Sequence, residues 1–405
     1  MALNGGTPVR HRPFPRWPEH DDTERALLLQ VLESGVWAYE GPMEQAFSER
    51  FAKACGAAHA VCVSNGTVSL EMCLRGLGVG PGDEVIVPAL TWTAPAWAAV
   101  QAGADVVFAD VGADWCLAPS SIEERVTPRA KALVVVHTYC QLAEMDEILA
   151  IARRHDLAVV EDCAHAHGSR WRGRGAGTLG DVGSYSFQLS KSMTAGEGGV
   201  VVTNDKLLAE QLYALKNCGR RQHGTAPFGF GGNHRMTEFQ AAVLLAQLQR
   251  LDMQVARRAV NVGHFRSMAA RLPGLTPLPP KPHVTRQGVY ALALDYEPSL
   301  FQDLPVDLLI ASLNAEGIPA RRPYEVVYRS PLWLSGMTSR RWQRSEQPAR
   351  RLGLDASCPT AERIAGGRGI VLPHQLFLGT ENDVDDVLEA IDKVRCHASE
   401  LRHHA

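Results

Sequence analysis

One lysine in this chain of 405 residues stands where an amine can do covalent chemistry. Lys191 follows Ser184-Tyr-Ser186-Phe-Gln-Leu-Ser, whose first half alternates like a strand. It faces a glycine-rich turn ending in Gly196-Glu-Gly-Gly199, and the apolar run 200–202 comes next. Its neighbours are apolar or hydroxyl-bearing and the nearest following carboxylate is Glu197, so burial here disfavours the charged amine. An amine that is neutral part of the time can form a Schiff base. The plainer reading of any one lysine is a solvated surface charge.

Three other stretches carry polar groups at the ends of apolar runs. Val159-Val160-Glu161-Asp162-Cys163-Ala164-His165 places carboxylates at a strand end, where burial is costly unless a cation pairs with them. Asn65-Gly66-Thr67 offers backbone N–H groups and a hydroxyl where strand 60–63 turns into a helix. The helix dipole favours an anion there by about 0.3–1 kcal/mol, although an ordinary helix cap has the same look. Thr91-Trp92-Thr93 follows strand 84–87, with Trp97 close behind, and a lone tryptophan is usually packing. By contrast, Gly175-Ala-Gly177-Thr-Leu-Gly180 matches G-x-G-x-x-G but follows a hairpin-like basic stretch and leads into a strand. It therefore lacks the context of a dinucleotide site.

The run S-F-Q-x-x-K-x-x-x-x-G-E-G-G resembles the lysine segment of the DegT/DnrJ/EryC1/StrS family, and the resemblance extends from about Gly5 to about Ile391. It implies a fold-type I transferase dependent on pyridoxal 5'-phosphate, with pyridoxamine 5'-phosphate as the amino carrier. By that resemblance Lys191 binds the cofactor covalently and then shuttles a proton. Gly66, Thr67 and Ser186 hold its phosphate, Asp162 pairs with its ring nitrogen, and His165 lies against the ring. Trp92 is the expected stacking partner, and spacing alone does not exclude Trp97. Gly231-Gly232-Asn233-His234-Arg235-Met236 resembles the family's G-x-N-x-R-M, which implies that Asn233 reaches the phosphate of a neighbouring subunit and that the protein is a homodimer with shared sites.

The implied reaction moves an amino group from L-glutamine or L-glutamate to a cyclic ketone. Thr91-Trp92-Thr93, Tyr328-Arg329-Ser330-Pro331 and Cys358-Pro359 look most like the family's scyllo-inosose and 2-deoxy-scyllo-inosose aminotransferases. Trp17-Pro18-Glu19-His20-Asp21-Asp22 and the turn after Lys191 look as much like 3-amino-5-hydroxybenzoate synthase. That synthase type and a nucleotide-diphospho-ketosugar aminotransferase are the alternatives, and a relative that binds the cofactor without turnover is a third. His137-Thr-Tyr-Cys140 departs from the family in carrying cysteine where glycine is common.

Strands alternating with helices from residue 60 to residue 160 call for crossover connections, hence an α/β fold with a mostly parallel sheet. A helix is expected near 24–32 behind Asp21-Asp22, and a long one over 237–264. Prolines crowd 272–282, so the domain boundary falls just before. This gives an N-terminal arm (1–19), a large cofactor-binding domain (20–255) and a smaller α+β domain (256–405).

Forty-five per cent of residues are apolar and 21% charged, an ordinary globular composition. A net charge of −3 offers no basic field for nucleic acid, and Arg321-Arg322 and Arg340-Arg341 read as solvated faces. Nine cysteines without a C-x-x-C pair suit a reducing cytoplasm. No signal-peptide core or membrane-length apolar run is present, so a soluble cytoplasmic protein without membrane partners is expected.

Overall fold

Alternating helices and apolar strands do assemble into a sheet between two layers of helices. The computed structural model describes residues 1–222, 229–336 and 352–403, so Arg340 and Arg341 lie outside the described residues. The chain order of the first strands is β1 (His59–Val63), β2 (Glu84–Pro88), β3 (Asp105–Ala109), β4 (Ala130–Val136) and β5 (Ala158–Asp162). Then come the short β6 (Arg170–Trp171) and β7 (Arg174–Gly175), followed by β8 (Val182–Ser186) and β9 (Gly199–Thr203). The seven-stranded sheet runs β1-β9-β8-β5-β4-β2-β3, and only β9 opposes the direction of the rest.

Both faces of this sheet are covered, which is why β2 and β4 read as nearly continuous Val, Ile and Leu. Alternation divides the side chains between two cores. Val134 and Val136 join one with Val85, Val87 and Val160, while Leu133 and Val135 join the other with Ile86 and Val159. Helices α1 (Asp22–Ser34), α2 (Pro42–Cys55), α3 (Gly66–Gly76), α4 (Ala94–Ala102), α5 (Pro119–Arg125), α6 (Met145–Arg154) and α7 (Lys206–Lys216) accompany the strands. The first begins at a capping box between Asp21 and Glu24.

Helix α8 (Glu238–Ala269) starts at a second capping box, Thr237 with Gln240, and passes residue 256 as one element. Beyond it, β10 (Leu275–Pro277), β12 (Ala291–Tyr296) and β13 (Gly369–Pro373) form a three-stranded antiparallel sheet with helices α9 (Val306–Ala315) and Glu381–Cys396. The intervening β11 (Val284–Arg286) pairs back onto β6, stitching this smaller α+β unit to the larger one. The N-terminal segment lies across both. Arg10 pairs with Asp383 and Asp386 at 2.8 and 2.6 Å, and the Trp17 indole donates to the Leu189 carbonyl at 3.1 Å. No helix among the described residues is long and apolar enough to cross a membrane.

Candidate active site

The carboxyl ends of β1, β2, β4, β5 and β8 open on one cavity of about 820 Å³, the crevice where parallel α/β sheets commonly bind ligands. Gly66, Thr67, Trp92, Asp162, His165, Ser186 and Lys191 all line it. Seven residues singled out from the sequence thus arrive together from four separate segments.

Strand alternation decides which of the two carboxylates on β5 can act. Glu161 points away from the cavity and is fully buried. It accepts N–H groups from Gly177 (2.9 Å), Leu179 (2.7 Å) and Gly180 (2.7 Å), and the Nε2 of His137 lies 3.0 Å from it. The G-x-G-x-x-G segment is therefore a loop wrapped around an internal carboxylate. Gly177 sits at φ 84, and a Cβ there would meet Tyr185 and Val202 at 3.1 Å. Asp162, one residue on, is buried yet faces the cavity, and among the described residues only the Ala164 N–H, at 3.0 Å, bonds to its carboxylate. Burial raises its carboxyl above the usual range, opposed by that N–H and by the Lys191 charge. A buried carboxylate with an unused oxygen calls for a cationic N–H partner.

Where β1 gives way to α3, the Asn65 side chain accepts the Val68 N–H at 2.9 Å. Gly66 and Thr67 N–H groups remain at the positive end of the helix. A Cβ on Gly66 would come within 2.5 Å of the Ser186 Cβ, so the close approach of this turn to β8 requires glycine. Thr67, Ser186 and the two N–H groups make a cup suited to a phosphate.

Lys191 belongs to the loop between β8 and β9. The loop is fixed by the Thr194 hydroxyl, which donates to the Phe187 carbonyl at 2.9 Å, and by the Lys191 N–H, which donates to Gln188 at 2.9 Å. Its Nζ stands 4.6 Å from the centre of the Tyr290 ring. Burial lowers the amine below its ordinary value, against the pull of Tyr290 and Asp162. Burial would also raise the Tyr290 phenol, but Lys191, the Ser190 hydroxyl at 3.1 Å and Arg321 outweigh it and bring that group down to about 8.

His165 accepts the Tyr139 N–H on Nδ1 at 3.1 Å, so its proton sits on Nε2, 3.3 Å from the Tyr324 hydroxyl. Burial pushes the imidazole well below its ordinary value and keeps it neutral. Of the two tryptophans, Trp92 lines the cavity, half exposed and 6.0 Å from the Tyr324 ring. Trp97 packs instead on Trp333 at 5.2 Å.

Asn233 is not part of this cavity. It is exposed and bridges to Asn217, while the neighbouring His234 carbonyl accepts the Ser64 N–H at 2.8 Å. Cys140 is buried outside the cavity as well, its carbonyl accepting the Gln287 side-chain amide.

The sequence reading missed Tyr290, Tyr324 and Arg321, which line the cavity from the smaller unit. Arg321 had read as a solvated face together with Arg322. The structure separates them: Arg322 pairs with Asp307 at 2.5 Å on the surface, and Arg321 turns toward the Tyr290 ring. Opposite directions for adjacent residues are what β-like backbone dictates, and Arg321 pairs with Val371 of β13.

A cup suited to a phosphate, an unused buried carboxylate and a lysine of lowered basicity match three needs of pyridoxal phosphate, and Trp92 and His165 line the same cavity. Comparison with known proteins agrees. The DegT/DnrJ/EryC1/StrS aminotransferase family matches residues 18–392. An L-glutamine:2-deoxy-scyllo-inosose aminotransferase of Streptoalloteichus tenebrarius is 38% identical over 422 residues, covering 99% of each chain. An L-glutamine:scyllo-inosose aminotransferase of Streptomyces griseus is 37% identical over 428 residues, again covering 99% of each. The crystal structure of a 3-amino-5-hydroxybenzoic acid synthase superposes with a TM-score of 0.85 at 33% identity, over 96% of this chain and 100% of the other. This chain belongs to the DegT/DnrJ/EryC1/StrS aminotransferase family and is a pyridoxal phosphate-dependent aminotransferase of fold-type I.

Proposed function

We propose that this enzyme transfers the amino group of L-glutamine to the ring ketone of a cyclitol of the scyllo-inosose class, in the biosynthesis of an aminocyclitol. The observation that carries the reading is the meeting of Lys191 and Asp162 on one cavity, in a chain that is 37–38% identical over its whole length to two enzymes named for that reaction.

In this reading Gly66, Thr67 and Ser186 hold the cofactor phosphate, Asp162 holds the ring nitrogen protonated, and Trp92 and His165 flank the ring. Bound there, pyridoxal phosphate supplies the electron sink that makes the amino donor's α-proton acidic. Lys191 first anchors the cofactor and then carries that proton on Nζ, a task suited to an amine whose basicity burial has lowered. Neutral His165 can offer its Nε2 proton as a hydrogen bond without adding charge beside Asp162. The enzyme works as a cytoplasmic homodimer in which Asn233 completes the phosphate site of the second copy.

The test is a two-stage assay. Glutamine alone should convert the absorbance of the bound cofactor, and scyllo-inosose or 2-deoxy-scyllo-inosose should restore it while yielding the aminated ring. Restoration by a nucleotide-linked ketosugar, with neither inosose active, would sink the acceptor assignment. The structural likeness to a 3-amino-5-hydroxybenzoic acid synthase favours one other outcome, an aminobenzoate-type product.

A further inference from the structure

Tyr139 is used by none of the roles above, yet it touches three of the residues that line the cavity. It lies in the loop after β4, is 1% exposed, and adopts φ 56, a left-handed conformation that bulky residues avoid unless their surroundings impose it. Its N–H donates to Nδ1 of His165 at 3.1 Å, and its carbonyl accepts the Tyr290 N–H at 3.2 Å. Its hydroxyl oxygen accepts the Tyr324 N–H at 2.8 Å.

The rings repeat the same connections. Tyr139 stacks on Tyr324 at 5.4 Å and 18°, and on His165 at 5.5 Å and 20°. His165 in turn stacks on Tyr290 at 3.8 Å and 10°, beside the amine of Lys191. Packing alone would be served by an aromatic ring on ordinary backbone. Here the unusual backbone occurs where its own N–H and carbonyl each meet a different member of the stack.

We propose that Tyr139 is a positioning residue for amino transfer. It fixes His165 with its proton on Nε2, holds Tyr290 beside Lys191, and ties the segment bearing Tyr324 and Arg321 to the end of β4. The large unit thereby sets the distance between Lys191 and the walls contributed by the smaller unit. The inference rests on the aminotransferase reading of this cavity.

The experiment uses the cofactor-loaded protein and two variants. Tyr139→Phe keeps the stack and removes only the acceptor for the Tyr324 N–H. Tyr139→Leu removes the stack. The Phe variant should show a KM for the ketone raised several-fold, with an unchanged pH titration of the bound-cofactor absorbance. The Leu variant should shift that titration and lower kcat roughly a hundredfold, the loss expected from about 1 Å of displacement near the reacting groups. A folded Leu variant with wild-type titration and kcat overturns the proposal. Should that variant not fold, a Phe variant with wild-type KM and kcat overturns it instead. The titration needs no ketone, so an error in the acceptor class leaves this test intact. A wild-type protein whose absorbance ignores glutamine would strike the aminotransferase reading itself.

Discussion

The amine of Lys191 lies 4.6 Å from the centre of the Tyr290 ring, and no carboxylate among the described residues is paired with it. The two groups titrate against each other. Tyr290 loses its proton at about 8, and the phenolate then favours the ammonium form of Lys191. Only the neutral amine captures the cofactor, so capture by the cofactor-free protein should quicken as pH rises. In Tyr290→Phe the support for the charged form is gone, and the rise should begin at lower pH. Stopped-flow absorbance after mixing with pyridoxal phosphate, repeated across pH, checks the direction.

Replacing Lys191 by alanine should leave the cofactor bound but not covalently attached. Turnover should fall by at least about 10²–10⁴-fold, the contribution expected of a positioned proton carrier alone. Borohydride treatment followed by peptide mapping should label Lys191 in the wild type and no lysine in the variant. A label on another lysine would contradict the assignment.

Asp162 should make cofactor loading a pH-dependent source of stability. Burial raises its folded-state pKa, so ionising it costs folding stability as pH climbs from the unfolded value through the folded one. A protonated ring nitrogen beside it removes that cost. The gain in Tm on adding pyridoxal phosphate should therefore be larger at neutral pH than near about pH 4, where the ordinary carboxyl titrates. In Asp162→Asn the gain should shrink and lose this dependence, and turnover should drop by orders of magnitude.

Gly66→Ala places a Cβ 2.5 Å from that of Ser186. Overpacking of this kind costs about 1–3 kcal/mol, equivalent to roughly tenfold or more in cofactor affinity if the cup must open to admit it. Equilibrium dialysis against pyridoxal phosphate measures the loss, and unchanged affinity would remove Gly66 from the phosphate site.

Subunit exchange tests whether Asn233 serves a second copy. Lys191→Ala and Asn233→Ala proteins should each be inactive, and mixing them under conditions that allow exchange should restore part of the activity. No recovery despite proven exchange would return the 229–233 segment to its own chain.

Much of the site was legible because β5, β8 and the start of α3 are short local structures whose polar residues follow directly on apolar runs. Asp162, Ser186, Gly66 and Lys191 each sit within a few residues of a strand end, so local pattern marked their stretches, and the family resemblance singled out Asp162 from Glu161. Tyr290 and Arg321 had no such signal. They reach the cavity because β11 pairs back onto β6 and β13 pairs beside β12, contacts between segments more than a hundred residues apart in the first case. The choice between Trp92 and Trp97 likewise depended on which ring met Trp333. Tyr139 was invisible for a third reason: its backbone angle is imposed by tertiary bonds and opposes the preference of its residue type.

The division of labour between Glu161 and Asp162 has a consequence for folding fidelity. A slip of β5 by one position would exchange their faces, sending the longer carboxylate into the cofactor cavity and the shorter one toward the three N–H groups of the glycine loop. Asp162 is one methylene too short to stand in for Glu161 there, so the loop would lose its anchor as the cofactor lost its partner. The strand thus carries its own proofreading. A molecule that misaligned the strand would lose the glycine loop's anchor and the carboxylate that faces the cavity together.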